Sequence, residues 1–160
     1  MKKILSLAFG LLMTTTLMAQ LPQVKLKDME GKVVDLSKLE NDGKPIIISF
    51  WATWCKPCRL ELNTISDEYE DWVDETGVKL VAVSIDDARS TGKVEPVVNS
   101  AGWEYDILLD PNGELKRAMN VSQVPHTFLI DGSGKVVWQH NNYSPGDEEE
   151  LHEELLKISK

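Results

Sequence analysis

The stretch Phe50-Trp51-Ala52-Thr53-Trp54-Cys55-Lys56-Pro57-Cys58 carries both cysteines of the 160-residue chain. It begins inside the short apolar run Ile46–Trp51, which is typical of a strand buried on both faces. After Cys58, apolar residues recur at helical spacing until Gly77, and these residues are Leu62, Ile65, Tyr69 and Trp72. The cysteines are therefore predicted to lie where a buried strand ends and an amphipathic helix begins.

A second apolar strand over 78–85 completes a strand–helix–strand unit, for which a right-handed parallel crossover is expected. A small hairpin over 24–36 precedes this unit. The turn Asp131-Gly132-Ser133-Gly134 marks a second hairpin, with strands predicted over 127–130 and 135–138. The remaining predicted elements are a helix over 93–101, a strand over 105–109, a short helix over 114–119 and a final helix over 147–157. The pattern indicates an α/β domain whose sheet is parallel in its first half and is closed by a hairpin.

The composition of the chain excludes several classes of protein. The 26 acidic and 17 basic side chains give a net charge of −9, which repels phosphate backbones and anionic lipids, so nucleic-acid binding is excluded. A hydrophobic content of 42% argues against a disordered chain, and the length fits one domain. Two cysteines are too few for a disulfide-scaffolded miniprotein.

The N-terminus has the pattern of an export signal. Lys2-Lys3 precedes an apolar stretch over 4–13, and Leu17-Met18-Ala19 places a small residue where a signal peptidase cleaves. We predict a signal peptide over 1–19 and a mature domain over 20–160, in an extracytoplasmic, periplasmic location. The competing interpretation is an uncleaved membrane anchor, since no further charge occurs before Lys25.

The spacing of Cys55 and Cys58 raises four possibilities: a metal site, haem attachment, a structural disulfide or a redox pair. A zinc site needs two further ligands, and the three histidines of the chain lack ligand spacing. Covalent haem attachment needs a histidine where Arg59 stands, and a disulfide across two residues adds little entropic stability. We therefore predict a redox-active pair that requires no metal and no cofactor.

The predicted position of the pair explains its chemistry. At a helix N-terminus, free backbone N–H groups and the positive end of the helix dipole favour the thiolate of Cys55, and Lys56 adds a positive charge. Pro57 fits the first helical turn, where its missing N–H costs no hydrogen bond. Our hypothesis is that Cys55 attacks as the nucleophile and Cys58 resolves the mixed disulfide.

The stretch from Phe50 to Cys58 resembles the active site of thioredoxin-fold proteins, and the arrangement from Leu26 onward is similar to the TlpA/ResA-like extracytoplasmic branch. The resemblance covers nearly all of the mature chain. It implies a thioredoxin fold, in which helices flank a central mixed β-sheet, with an N-terminal β-hairpin extension. It also implies a cis-proline that faces the disulfide. Pro125 matches this proline, and the backbone of Val124 would then be free to pair with an extended substrate.

The same branch places a glutamate three residues after the second cysteine, and Glu61 matches it. The buried aspartate of thioredoxin itself is replaced by Ser49, which cannot act as a base at neutral pH. A partly desolvated Glu61 would exchange the proton of Cys58, whereas the alternative is a solvated glutamate on an acidic helix face. Trp54 is expected to shield the disulfide and to offer an apolar docking surface. His126 is interpreted as a surface histidine.

The resemblance implies an exported enzyme that exchanges its dithiol or disulfide with protein substrates as a reductant, for example in cytochrome c maturation. A membrane-embedded thiol electron carrier is the implied partner that returns it to the dithiol form, and we expect a monomer. Two alternatives stay open. One is a peroxiredoxin-type peroxide reductase, and the other is a non-catalytic thioredoxin-fold module that holds a client in the groove at Pro125.

Overall fold

A seven-stranded mixed sheet lies at the centre of the computed structural model, which describes residues 21–159. The predicted signal peptide over 1–19 lies outside the described residues. The strands are β1 (Lys25–Asp28), β2 (Val33–Asp35), β3 (Ile46–Trp51), β4 (Lys79–Ser84), β5 (Asp106–Leu109), β6 (His126–Ile130) and β7 (Val136–Asn141). The helices are α1 (Lys56–Thr76), α2 (Val94–Ala101), α3 (Glu114–Ala118) and α4 (Asp147–Ile158), with short 3₁₀ turns at Leu36–Lys38 and Thr91–Lys93. No helix within this range has the length and hydrophobicity needed to cross a membrane.

The order of the strands in the sheet is β2-β1-β5-β4-β3-β6-β7. The three middle strands β3, β4 and β5 run parallel, whereas β6 is antiparallel to β3 and β7 is antiparallel to β6. At the other edge, the hairpin of β1 and β2 adds to β5 in antiparallel orientation. The predicted arrangement is confirmed, with a parallel unit closed by a C-terminal hairpin and extended by an N-terminal one.

The strand boundaries follow the predicted pattern except in the C-terminal hairpin. The bounds of β3 are those of the predicted apolar run. β7 continues to Asn141, beyond the predicted end at Trp138, and the pairing of β6 with β7 shifts by one residue between Leu129 and Ile130. The longer strand brings His140 into the sheet.

Apolar side chains cover both faces of the sheet. On one face, α1, α2 and α4 pack around a core cluster that also contains both cysteines, and the helical members are Leu62, Ile65, Trp72, Val94, Val98, Leu151 and Leu155. The opposite face carries a second cluster, to which α3 contributes Leu115 and the first 3₁₀ turn contributes Leu36. Because both faces are covered, every residue of β3 is buried.

Helix α1 carries the disulfide, and near its N-terminus it is bonded to the segment that connects α2 to β5. The Tyr105 hydroxyl donates a hydrogen bond to the backbone carbonyl of Leu62 at 3.0 Å, and Trp103 Nε1–H donates to Asn63 Oδ1 at 2.8 Å. At the far end, Gly77 adopts the left-handed φ of 68° that is typical of a helix C-cap. The two side-chain hydrogen bonds fix the first turns of α1 against the segment that leads into β5.

Replacing Leu62 by alanine is expected to destabilise the fold by about 2–5 kcal/mol, because the change leaves a cavity between α1 and the sheet. The matched control is Leu60→Ala on the exposed side of the same helix, which is expected to change the free energy of unfolding by less than about 0.5 kcal/mol. Urea denaturation followed by tryptophan fluorescence measures both changes. Equal losses in the two variants would contradict this packing of α1.

Candidate active site

The two sulfur atoms lie at the N-terminus of α1, where Cys55 and Cys58 form a disulfide. Cys55 is the N-cap residue of the helix, and its Sγ accepts a hydrogen bond from the backbone N–H of Cys58 at 3.3 Å. Cys58 is fully buried, whereas Cys55 retains 5% exposure. Cys55 is therefore the sulfur that a second molecule reaches more easily.

The first turn of α1 carries positive charge. Lys56 and Arg59 belong to this turn, which contains no acidic side chain, and Pro57 occupies one of its first two positions. The backbone N–H groups that lack helical partners and the helix dipole add positive potential at the same end. A negative charge on the sulfur of Cys55 is therefore stabilised when the disulfide opens.

A buried aspartate holds the loop between β3 and Cys55. The carboxylate of Asp86 accepts hydrogen bonds from the Thr53 backbone N–H at 2.8 Å, the Thr53 hydroxyl at 2.6 Å and the Ser84 hydroxyl at 2.9 Å. Asp86 reaches the loop because β3 and β4 are parallel neighbours whose carboxyl ends meet at one edge of the sheet. Asp86 was not predicted as a site residue, because periodicity alone gives no signal for a contact between two loops.

Glu61 lies on the buried side of α1, one turn after Cys58, and 1% of its side chain is exposed. Its Oε1 accepts a hydrogen bond from the Thr127 hydroxyl at 2.7 Å, and His140 Nε2 lies 3.3 Å from the same oxygen. Its Oε2 is buried and has no hydrogen-bond partner among the residues that the structure describes. The expected desolvation of this carboxylate is confirmed, and the alternative of a solvated glutamate is wrong.

Three neighbouring strands place Ser49, Thr127 and His140 in one row across the sheet. Ser49 of β3 pairs with Thr127 of β6, and Thr127 pairs with His140 of β7. The hydroxyl oxygens of Ser49 and Thr127 lie 3.1 Å apart. Glu61 thus meets a polar row within a mainly apolar face of the sheet. His140 was not predicted as a site residue, because the predicted strand ended two residues before it.

The peptide bond between Val124 and Pro125 is cis, as predicted. Pro125 directly precedes β6, whose pairing with β3 ends with His126 opposite Phe50. The proline therefore lies at the edge of the sheet where β3 leads into the disulfide loop. Val124 packs against the core cluster that contains both cysteines.

The two tryptophans of the active-site stretch differ in exposure. Trp54 is 66% exposed and presents an apolar surface next to the disulfide. Trp51 is fully buried and packs edge-to-face against Trp103, with ring centroids 4.9 Å apart. Trp72 and Trp103 are buried and Trp138 is partly buried against the core, as expected of packing residues.

The prediction that His126 is a surface residue is wrong. His126 is buried at the start of β6, its ring stacks on Phe128 with centroids 4.3 Å apart, and its Nε2 lies 3.1 Å from Gln139 Oε1. Because neighbouring residues of a strand point to opposite faces, His126 lies on the other side of the sheet from Thr127. Burial lowers the pKa of His126.

The chemistry available at this site is that of a disulfide, a carboxylate and an imidazole. Within residues 21–159, no three His, Cys, Asp or Glu side chains form a group that could hold a metal ion. The disulfide at the N-terminus of α1, one turn from the buried carboxylate of Glu61, supports exchange of the sulfur–sulfur bond.

Comparison with known proteins identifies the family. The model of the AhpC/TSA family matches residues 17–139. The thiol-disulfide oxidoreductase ResA of Bacillus thuringiensis subsp. konkukian (strain 97-27) is 31% identical over 138 residues, which are 86% of this chain and 76% of that protein. The chain belongs to the AhpC/TSA family, with the ResA-like thiol–disulfide oxidoreductases.

Two further family resemblances agree with this assignment. The thiol-disulfide oxidoreductase ResA of Bacillus subtilis (strain 168) is 35% identical over 116 residues, and the chain spans 62% of the length of that protein. An uncharacterized thioredoxin-like protein from Porphyromonas gingivalis, known from its solution structure, is 54% identical in sequence to this chain. The two structures match with a TM-score of 0.79 over 89% of this chain and 93% of that chain. The predicted thioredoxin fold is therefore confirmed.

Acidification from pH 7 to 5 is expected to lower the stability of the fold in part through His126. Burial lowers the folded-state pKa of this histidine, so the unfolded chain takes up a proton that the folded chain resists. The stabilisation that comes from keeping His126 neutral is fully present above the ordinary histidine pKa. It is lost as the pH falls from that value towards the lowered pKa of the folded state. The variant His126→Phe, measured by urea denaturation at several pH values, is expected to lose less stability over this range than the wild type. Parallel curves for the two proteins would refute the role of His126.

Proposed function

We propose that this protein is an exported thiol–disulfide oxidoreductase that reduces disulfide bonds in protein substrates. The observation that carries the proposal is the pair of cysteines at the N-terminus of α1, with the buried carboxylate of Glu61 one turn further along the helix. The family of the chain supports the same reaction class.

The proposed reaction begins at Cys55 of the reduced protein. Its thiolate attacks one sulfur of a substrate disulfide, which forms a mixed disulfide and releases the other substrate sulfur as a thiolate. Cys58 then loses its proton and attacks the Cys55 sulfur, and the second substrate sulfur leaves. Two electrons pass from the protein dithiol to the substrate, whose two thiolates take up protons from water.

Glu61 is proposed to accept the proton that Cys58 releases. Residues three apart on a helix are neighbours, so the carboxylate lies within one turn of the second sulfur. Its Oε2 is buried without a hydrogen-bond partner among the described residues, which leaves this oxygen available for the Cys58 thiol in the reduced form. A carboxylate in this position acts as a general base for the resolving step.

The substrate-binding surface is proposed to consist of Trp54, Lys56, Pro57, Val124 and Pro125. Trp54 offers exposed apolar area, and the first turn of α1 offers positive charge next to the sulfur that reacts. An extended substrate segment would form hydrogen bonds with the backbone of Val124, at the edge of the sheet where β3 leads into the disulfide loop.

The cellular setting is also a proposal. A signal peptide over 1–19 would export the domain over 20–160 to the periplasm, where disulfides in client proteins form readily. There the protein would act as a monomeric reductant, in a role such as cytochrome c maturation, and a membrane-embedded thiol electron carrier would restore its dithiol. The resemblance to ResA-like proteins supports this assignment.

A peroxide reductase and a non-catalytic client-binding module are the alternatives. The chain has two cysteines in all, and they are bonded to each other, which favours disulfide exchange over a lone peroxidatic cysteine. Insulin reduction separates these functions, since an oxidoreductase reduces insulin and a binding module does not. Peroxide consumption in place of insulin reduction would identify the peroxide reductase.

The variant Cys58→Ala is expected to accumulate a mixed disulfide with insulin through Cys55, because no second thiol is present to release the substrate. Non-reducing electrophoresis and mass spectrometry of the purified mature chain measure the adduct. Cys55→Ser is the matched control and is expected to form little or no adduct, since the remaining sulfur is buried. Equal adduct formation by the two variants would contradict the assignment of Cys55 as the nucleophile.

The variant Glu61→Gln is expected to slow insulin reduction by about 10²-fold at pH 7, because it removes a general base and keeps the size of the side chain. Single-turnover reduction of insulin by the reduced protein measures the effect. Glu68→Gln, an exposed position on the same helix, is the control and is expected to match the wild type. An unchanged rate in Glu61→Gln would remove Glu61 from the reaction.

A further inference from the structure

His140 connects the buried carboxylate of Glu61 to the solvent. Its Nε2 lies 3.3 Å from Glu61 Oε1, and 17% of its side chain is exposed, against 1% for Glu61. The other hydrogen-bond partner of Glu61, Thr127, is fully buried. A proton on Glu61 therefore has a path to water through the imidazole of His140.

The position of His140 is built into the sheet. His140 is the β7 partner of Thr127, and both side chains meet the same oxygen of Glu61. The ring of Trp138, two residues earlier on the same strand, lies with its centroid 4.9 Å from the His140 ring. The imidazole is thus oriented by its own strand and by its neighbour, rather than held by Glu61 alone.

The other titratable groups near Glu61 are poorly suited to carry its proton. Burial and the charge of Glu61 raise the pKa of Tyr105 far above neutral, and burial is also the main cause that raises the pKa of Tyr143 to about 12. Burial lowers the pKa of His126, which lies on the opposite face of the sheet. Cys58 is the proton donor of the reaction itself. Histidine is the side chain that both takes and gives a proton near neutral pH.

We propose that His140 is a positioning residue that relays the proton of Cys58 from Glu61 to water. The proposal rests on the proposed role of Glu61. In the resolving step the Cys58 thiol gives its proton to the Glu61 carboxylate, and the resulting thiolate attacks the Cys55 sulfur. The carboxylic acid of Glu61 passes the proton to the neutral imidazole of His140, which releases it to water. Both side chains then return to their starting charge.

A second histidine–glutamate contact in the chain provides a control for the contact of His140 with Glu61. His152 of α4 lies with its Nε2 2.9 Å from Glu75 Oε2, at an exposed site. Glu75 follows Cys58 by 17 residues along α1, which corresponds to about 25 Å at 1.5 Å per residue. A variant of His152 therefore removes a histidine–glutamate contact of the same kind, far from the sulfur atoms.

The test uses the reduced mature protein with glutathione disulfide as the probe, followed by stopped-flow tryptophan fluorescence from pH 5 to 9. At low probe concentration the observed rate rises with the concentration of glutathione disulfide, and the slope of this rise reports the attack of Cys55. At high concentration the limiting rate reports the attack of Cys58, which does not depend on the probe. The two steps are thereby measured separately in one experiment.

The variant His140→Gln is expected to leave the rate of attack by Cys55 unchanged. It is expected to lower the limiting rate, which reports the attack of Cys58, about tenfold at pH 7, within the range of general acid–base effects. The limiting rate of the wild type is expected to rise between pH 5 and 8, and that of His140→Gln is expected to lose this rise. His152→Gln is expected to follow the wild-type curve. In a Glu61→Gln background, His140→Gln is expected to cause no further loss, because the relay starts at Glu61.

Two results would overturn the proposal. One is an unchanged limiting rate in His140→Gln, and the other is a lower rate that keeps the wild-type pH profile, as expected of a merely structural residue. Thermal melting verifies that the variants fold, and His140→Asn serves if His140→Gln does not. If Glu61→Gln itself leaves the limiting rate unchanged, the proposed function of Glu61 fails. If Glu61→Gln slows the reaction and His140→Gln does not, the relay alone fails.

Discussion

The junction between β3 and α1 is the constraint on which the site depends. A strand that is buried on both faces ends at Trp51, and the helix begins a few residues later with Cys55 as its N-cap. The carboxylate of Asp86 ties the loop between them to the end of β4. The loop is thus fixed by β3 before it, by α1 after it and by Asp86 beside it. These contacts keep the disulfide at the positive end of the helix without any contribution from other cysteines.

This junction gives the two sulfur atoms different surroundings. Cys55 retains some exposure and lies at the N-terminal end of α1 with Lys56 and Arg59, where negative charge is stabilised. Cys58 is fully buried, one turn from the carboxylate of Glu61. In the proposed mechanism, the carboxylate of Glu61 takes the proton of Cys58, so that the second sulfur does not become negative next to a charged carboxylate. These different surroundings support the proposed division of roles, in which Cys55 attacks and Cys58 resolves.

Much of the fold follows from local patterns in the sequence. The buried run of β3, the helical spacing of α1 and the end of that helix at Gly77 are local signals, and the structure agrees with each of them. The contacts of Asp86 and His140 depend on register between strands, which local patterns do not determine. Counting back from the turn of the last hairpin, with Ile130 opposite Val136, would place Thr127 opposite Gln139. The one-residue shift in the pairing places it opposite His140 instead, and it is this shift that brings the imidazole to Glu61.

In the proposed mechanism Cys55 is the reactive sulfur and Cys58 is the protected one. The most direct measurement is alkylation of the fully reduced mature chain with a limiting amount of iodoacetamide at pH 7, followed by peptide mapping in a mass spectrometer. The label on Cys55 is expected to exceed the label on Cys58 by about tenfold or more, because the thiolate is the form that reacts and exposure governs access to it. Equal labelling of both cysteines, or preferential labelling of Cys58, would contradict it.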